Sequence, residues 1–315
     1  MTKILYIAGW GRSGTTLMDS VLGQVDGIVS TGELHNLWQR GLVDGRDCGC
    51  GLRLRDCEFW SRVFDLGFGG IGKLDPRAAI QAQSSMHTRH VLDVMRAQKA
   101  GRTMQDVAYA PHLKRLYDGI AKASQARVIV DSSKYPVDAI VAAGLPGYEV
   151  YVVHMVRDPR AVAYSWSRRK DVRDKATGGG ILPRVGMLRS TVVWQLYNSV
   201  IATADRRVVG RARYLRLSYE EFASRPEEVL TRVLELVGER PSDPPLINDS
   251  QVELSATHSA GGNPDRFRSG KTTIRLDSAW KANMSPLRQV AVALLASPTW
   301  LVMCPSRKAR LRAQS

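Results

Sequence analysis

Eight residues near the start of the chain, Gly9-Trp10-Gly11-Arg12-Ser13-Gly14-Thr15-Thr16, combine three glycines, an arginine and three hydroxyls. A short apolar run, Ile4 to Ala8, precedes them, and a helical pattern from Thr15 to Gln24 follows, with Leu17, Met18, Val21 and Leu22 on one stripe. Strand, glycine-rich turn and helix form the order that aims backbone N–H groups and a positive helix end at a bound phosphate or sulfate. The first and sixth positions are glycines, as in a triphosphate-binding loop, but Thr15 stands where such a loop carries lysine. That substitution argues against ATP or GTP hydrolysis. Arg12 supplies a cation instead, and the hydroxyls of Ser13, Thr15 and Thr16 add donors for terminal oxygens.

A second set of polar residues follows other apolar runs. The run Val150 to Met155 ends in Val156-Arg157-Asp158-Pro159-Arg160 and enters a helical pattern carrying Ser165. Arg157 at a strand end can fork onto a phosphate, and Pro159 suits the first turn of a helix. Ser165, two turns on, reaches an anion that lies along that helix. Glu33 follows the run Ile28–Ser30, on the edge of the sheet where ligands bind, and is the first candidate for a general base. A carboxylate stabilising the start of a helix is the plainer reading of Glu33, and His35 is a weaker candidate for the base. The run Arg127–Val130 leads into Asp131-Ser132-Ser133-Lys134-Tyr135-Pro136. There Ser132 and Ser133 either orient an acceptor or cap the next helix, and Asp131 has the position of a magnesium-binding aspartate. The last point supports an alternative reading, a P-loop kinase using Mg-ATP. A non-catalytic nucleotide-binding interaction module is a further alternative, for which the loss of base or cations would be expected.

With these residues in view, the chain resembles the PAPS-dependent sulfotransferase family, in particular a bacterial branch similar to protein-tyrosine sulfotransferases. Gly11 to Leu17 matches the family's 5'-phosphosulfate loop, Gly-Arg-Ser-Gly-Thr-Thr-Leu, and Arg157 with Ser165 matches its 3'-phosphate element. The resemblance implies that Gly11, Arg12, Ser13, Gly14, Thr15, Thr16, Arg157 and Ser165 bind 3'-phosphoadenosine 5'-phosphosulfate (PAPS). It implies that Glu33 of Gly32-Glu33 is the catalytic base and that Lys134 of Lys-x-Pro136 stabilises the transition state together with Arg12. It also implies a basic, glycine-bearing loop closing over the nucleotide, here His258 to Asp277, with Arg266 and Lys271 as cofactor-binding candidates. No metal is required by such chemistry. The acceptor is a hydroxyl or amine of a small-molecule, glycan or lipid-linked compound.

The elements that must position these residues follow from patterning. Apolar runs at Ile4–Ala8, Ile28–Ser30, Arg127–Val130, Glu149–Met155 and Tyr214–Leu217 predict strands. Between them lie helical patterns at Ile80–Ala97, Met104–Ala123, Val137–Ala143, Arg160–Lys170, Thr191–Val209 and Glu227–Val237. The alternation predicts an α/β fold, P-loop-like, with three α/β/α layers, a mostly parallel central sheet and helical and loop insertions. We expect one domain over residues 1–315, with an insertion at about 41–125, flexible loops at about 171–184 and 238–277, and a basic tail at 305–315. Either Gly41–Asp75 or Asp171–Arg184 is a candidate lid.

The net charge of +15 over 315 residues attracts polyanions without choosing among them, but no dense basic module beyond Arg307-Lys308-Ala309-Arg310-Leu311-Arg312 argues for specific nucleic-acid binding. No run reaches the length of a membrane span; Val290–Met303, broken by Pro298, is expected as a packed helix, with peripheral membrane contact as the alternative. The short apolar start does not read as a signal peptide, so a cytoplasmic protein is expected. Cys48, Cys50 and Cys57 raise a local metal site or a Cys50–Cys57 or Cys48–Cys57 bridge, with no fourth ligand nearby in sequence; buried or free thiols are the plainer expectation.

Overall fold

The computed structural model describes residues 1–86, 107–168, 171–172, 180–181, 184–240 and 245–303. Five strands, β1 (Lys3–Ala8), β2 (Ile28–Ser30), β3 (Val128–Lys134), β4 (Glu149–Val156) and β5 (Tyr214–Ser218), form one sheet in the order β2-β3-β1-β4-β5. Every pairing in it is parallel. The central strand β1 shows why both faces are covered. Its Ile4, Tyr6 and Ala8 join one core cluster while Leu5 and Ile7 join another, so a continuous apolar run is divided by the two-residue period between two layers.

Helix α1 (Thr15–Leu22) lies on one face with the later helix Pro226–Leu236, and their Met18, Val21, Leu22, Val229, Leu230 and Val233 pack on Leu5 and Ile7. The other face is covered by α2 (Glu58–Phe68), α3 (Ala110–Ser124) and α4 (Pro136–Ala143). Next come α5 (Pro159–Ser167) and α6 (Met187–Val200), which pack together. Each of α3, α4 and α5 carries proline in its first turn, where the missing N–H removes no helical bond.

Two expectations change. Gly41–Asp75 is not a lid, because α2 buries Trp60, Val63, Phe64 and Phe68 in the core, at a helical spacing legible in the sequence. The segment 238–277 is not merely a loop. It holds β6 (Leu246–Asn248), β7 (Gln251–Leu254) and β8 (Gly270–Thr273), an antiparallel sheet in the order β8-β7-β6 whose Val252 and Leu254 join the α1 core. The final helix Pro286–Met303 runs through Pro298; Val292, Ala296 and Met303 are buried, while Leu287, Val290, Leu294 and Leu301 face solvent. Among the described residues, no helix is long and apolar enough to cross a membrane. Of the 171–184 loop, only two short segments and Arg184 belong to the described residues, Asp171–Val172 pairing with Gly180–Ile181. The basic tail 305–315 and residues 87–106 lie outside them.

Candidate active site

Arg12, Glu33, Lys134 and Arg157, each at the carboxyl end of a strand of the main sheet, lie around one cavity of about 560 Å3. The glycine loop leaves β1, Gly32-Glu33 leaves β2, Lys134 ends β3, Arg157 follows β4, and Tyr219 follows β5. The chain order places β1 between strands from both halves of the fold, so its loop faces the crevice where the connections diverge.

The loop is held tightly from both sides. Gly14 begins α1 with a left-handed φ of 86°, and a side chain there would lie 2.5 Å from the Tyr219 ring. A side chain on Gly11 would lie 2.8 Å from Trp166, whose indole N–H donates to the Gly11 carbonyl at 3.1 Å. Arg12 adopts a φ of 75°, uncommon for a residue with a side chain, and its guanidinium stacks over Trp166 at 4.8 Å. Burial pushes that guanidinium's pKa down, against the pull of Asp265 and Glu33. Among the described residues, the buried Nε of Arg12 and the fully buried hydroxyl of Ser13 have no hydrogen-bond partner. Buried donors left unmatched beside open backbone suit an anion.

Lys134 reaches Glu33 by an irregularity of the sheet. Tyr6 pairs with Asp131 but Ala8 pairs with Lys134, so β3 carries one extra residue, and Lys134 takes a φ of 75°. Its ammonium donates to the Glu33 carboxylate and to the Ser132 carbonyl, the latter at 3.2 Å. Asn36 donates to the other Glu33 oxygen. Burial pushes the Glu33 carboxyl up, but the charge and hydrogen bond of Lys134, with Arg40 and Arg266 behind them, outweigh it and leave the pKa below its ordinary value.

Arg157 is almost buried, donating to the Arg12 carbonyl at 2.9 Å and to the Asp277 carboxylate at 3.0 Å, over the Tyr219 ring. Its Nε has no partner among the described residues. Ser165 lines the same cavity from α5. The cradle, Arg157 and Ser165 therefore open on one space, as the two ends of a bound nucleotide require.

Other expectations are redirected. Arg266 does not line the cavity; it is buried and donates to the Gly262 and Asp47 carbonyls, bracing its loop. Lys271 sits exposed on β8 outside the cavity. Arg40, Arg268 and Arg275 line it instead. Arg40 is presented by the π-helical turn Leu37–Val43, which has no signal of its own in the sequence. Arg268 and Arg275 belong to the expected basic segment, but only the path of the chain selects them over their neighbours. His35 is turned away, bonded to Asp138 at 2.7 Å and stacked on Tyr135. Asp131 accepts from Tyr117 and Ser133 inside the core, leaving it committed inward rather than facing the cavity as a kinase's metal ligand would. Ser133 lines the cavity while its hydroxyl donates to Asp131, and neither serine caps α4.

In sequence, residues 5–243 match the model of the sulfotransferase family. The chain belongs to that family. By class this sulfotransferase is a group-transfer enzyme. Its fold is similar to the sulfotransferase domain from the curacin biosynthetic pathway, at 18% identity over 94% of this chain and 98% of that one, with a TM-score of 0.51. The sulfotransferase domain of the Synechococcus PCC 7002 olefin synthase is also similar, at 20% identity over 93% of each chain and a TM-score of 0.49. No curated protein matches the sulfotransferase in sequence.

Proposed function

We propose that this sulfotransferase moves the sulfuryl group of PAPS in line to a hydroxyl or amine of a small-molecule, glycan or lipid-linked acceptor, with Glu33 as general base. The observation that carries the reading is the convergence of Arg12, Glu33 and Lys134 on one cavity with the unmatched donors of the glycine loop. PAPS supplies a sulfuryl group whose bond to the 5'-phosphate breaks as the acceptor's bond to sulfur forms. The backbone of Gly11 to Thr16, with Arg12 and Ser13, would hold the 5' end, and Arg157 with Ser165 the 3'-phosphate.

The Glu33–Lys134 pair suits both halves of the task. Lys134, with Arg40 and Arg266 behind it, keeps the buried carboxylate ionised. When the ammonium instead faces an anionic group, its pull on Glu33 weakens and the carboxylate becomes a stronger base. Lys134 and Arg12 then bear charge that develops on the transferred group and the leaving phosphate.

Thermal shift tests the reading. The protein should be stabilised by 3',5'-ADP and not by Mg-ATP, since only the former fills a 3'-phosphate site. Stabilisation by Mg-ATP alone would overturn it. Labelled PAPS offered with hydroxyl and amine acceptors then identifies the acceptor class.

A further inference from the structure

The segment around Cys48 and a loop from the far end of the chain meet in a way that serves nothing in the transfer site. The Cys48, Cys50 and Cys57 sulfurs and the His258 ring nitrogen lie within 4.8 Å of one another. Cys50 and Cys57 sulfurs are 3.8 Å apart; His258 Nδ1 is 3.3 Å from Cys57 and 3.9 Å from Cys48, bridging a sequence separation of 201 residues. All three cysteines are free thiols, so neither expected bridge is present.

From these residues the geometry points to a structural Cys3His zinc site. Tetrahedral zinc, with bonds of about 2.3 Å to sulfur and about 2.0 Å to nitrogen, sets sulfur pairs about 3.8 Å apart and sulfur–nitrogen pairs about 3.6 Å apart. The observed separations bracket those values. Three soft sulfurs and one imidazole are a zinc donor set, and four protein ligands leave no open position for substrate. None of the four residues lines the transfer cavity.

Backbone N–H groups reach all three sulfurs. Cys48 accepts a backbone N–H from Cys50, Cys50 from Leu52, and Cys57 from Trp60, while Cys57 also precedes the first turn of α2. Cys48 and Cys57 are essentially inaccessible. The His258 ring is fixed by stacking on Phe59 at 4.8 Å, and its carbonyl accepts from the Trp60 indole at 2.9 Å. Such outer contacts orient ligands before the ion arrives.

The ion would fasten the distal loop to the base-bearing end of β2. Immediately after His258, the Ser259 carbonyl accepts from Gly49, Ala260 donates to Thr31 at 2.8 Å, and the Ala260 carbonyl accepts from Glu33 at 2.9 Å. A side chain on Gly49 would lie 2.5 Å from the Ser259 hydroxyl, so only glycine permits this approach.

The test is metal content of the full chain, purified under reductant without chelator from zinc-supplemented cells. Elemental analysis should give about one zinc per chain. Cobalt substitution should give the intense visible bands and sulfur charge-transfer absorption of a tetrahedral thiolate site. His258→Ala and Cys57→Ser should lose the metal, and His258→Cys should keep it. A metal-free protein that gains no thermal stability from zinc overturns the proposal, as does a native Cys50–Cys57 disulfide, iron in place of zinc, or zinc retained by both losing variants. If those variants fail to fold, the wild-type stoichiometry and cobalt spectrum decide, a weak octahedral spectrum counting against it. No readout uses activity, so this result and that of the transfer reading are independent.

Discussion

Lys134 donates its ammonium to the carboxylate of Glu33 across the ends of β3 and β2, and the contact depends on the extra residue in β3. Two strands thus deliver a carboxylate and a cation to one point.

Glu33→Gln should retain binding of 3',5'-ADP and lose transfer by roughly 10^2- to 10^4-fold, the range for removal of a positioned general base. Calorimetry and initial rates check the two halves. Because Lys134 leaves Glu33 ionised below the usual carboxylate range, kcat/KM should stay level as pH falls through that range and drop only below it. An active Glu33→Gln enzyme would refute the assignment.

Asp277 holds the guanidinium of Arg157, the group proposed to bind the 3'-phosphate. Asp277→Asn should therefore tighten 3',5'-ADP several-fold, whereas Arg157→Ala should erase the preference for 3',5'-ADP over 5'-AMP. Weaker binding by Asp277→Asn, or a preference retained by Arg157→Ala, would show that this arginine does not read the phosphate.

Gly14→Ala combines a left-handed backbone with a collision against Tyr219. It should destabilise the fold by about 1–3 kcal/mol, measured by denaturant unfolding, and weaken nucleotide binding further. Wild-type stability in this variant would mean that the loop is not held as described.

Two carboxyls set a pH dependence of stability. Burial raises Asp19 to about 7, against a hydrogen bond from Ser30, and raises Asp131 to about 6, against bonds from Ser133 and Tyr117. Both stay protonated in the folded chain at pH values where the unfolded chain has ionised them. Their contribution is full below about pH 4 and is lost as pH rises through about 6 to 7. Asp19→Asn should reduce the stability difference between pH 5 and pH 8 by on the order of a few kcal/mol in urea titrations. An unchanged difference would locate the dependence elsewhere.

Local chemistry in the chain determined the five parallel strands, the glycine loop and the residues at the strand ends, because apolar periodicity and the residues that follow each run are properties of neighbours. Tertiary structure decided what depends on separation. It set Arg40, Arg268 and Arg275 at the cavity and left Arg266 and Lys271 outside its lining, since which cation faces a cavity depends on the path of the backbone rather than on charge. It turned Asp131 inward through Tyr117, and it brought His258 to three cysteines from 201 residues beyond Cys57. A hydrophobic period is repeated over a few residues and can be read locally. A contact between distant residues exists only after the sheet, the helices on its two faces and the β6–β8 meander have packed, which is why the fold was legible early and the fourth ligand was not.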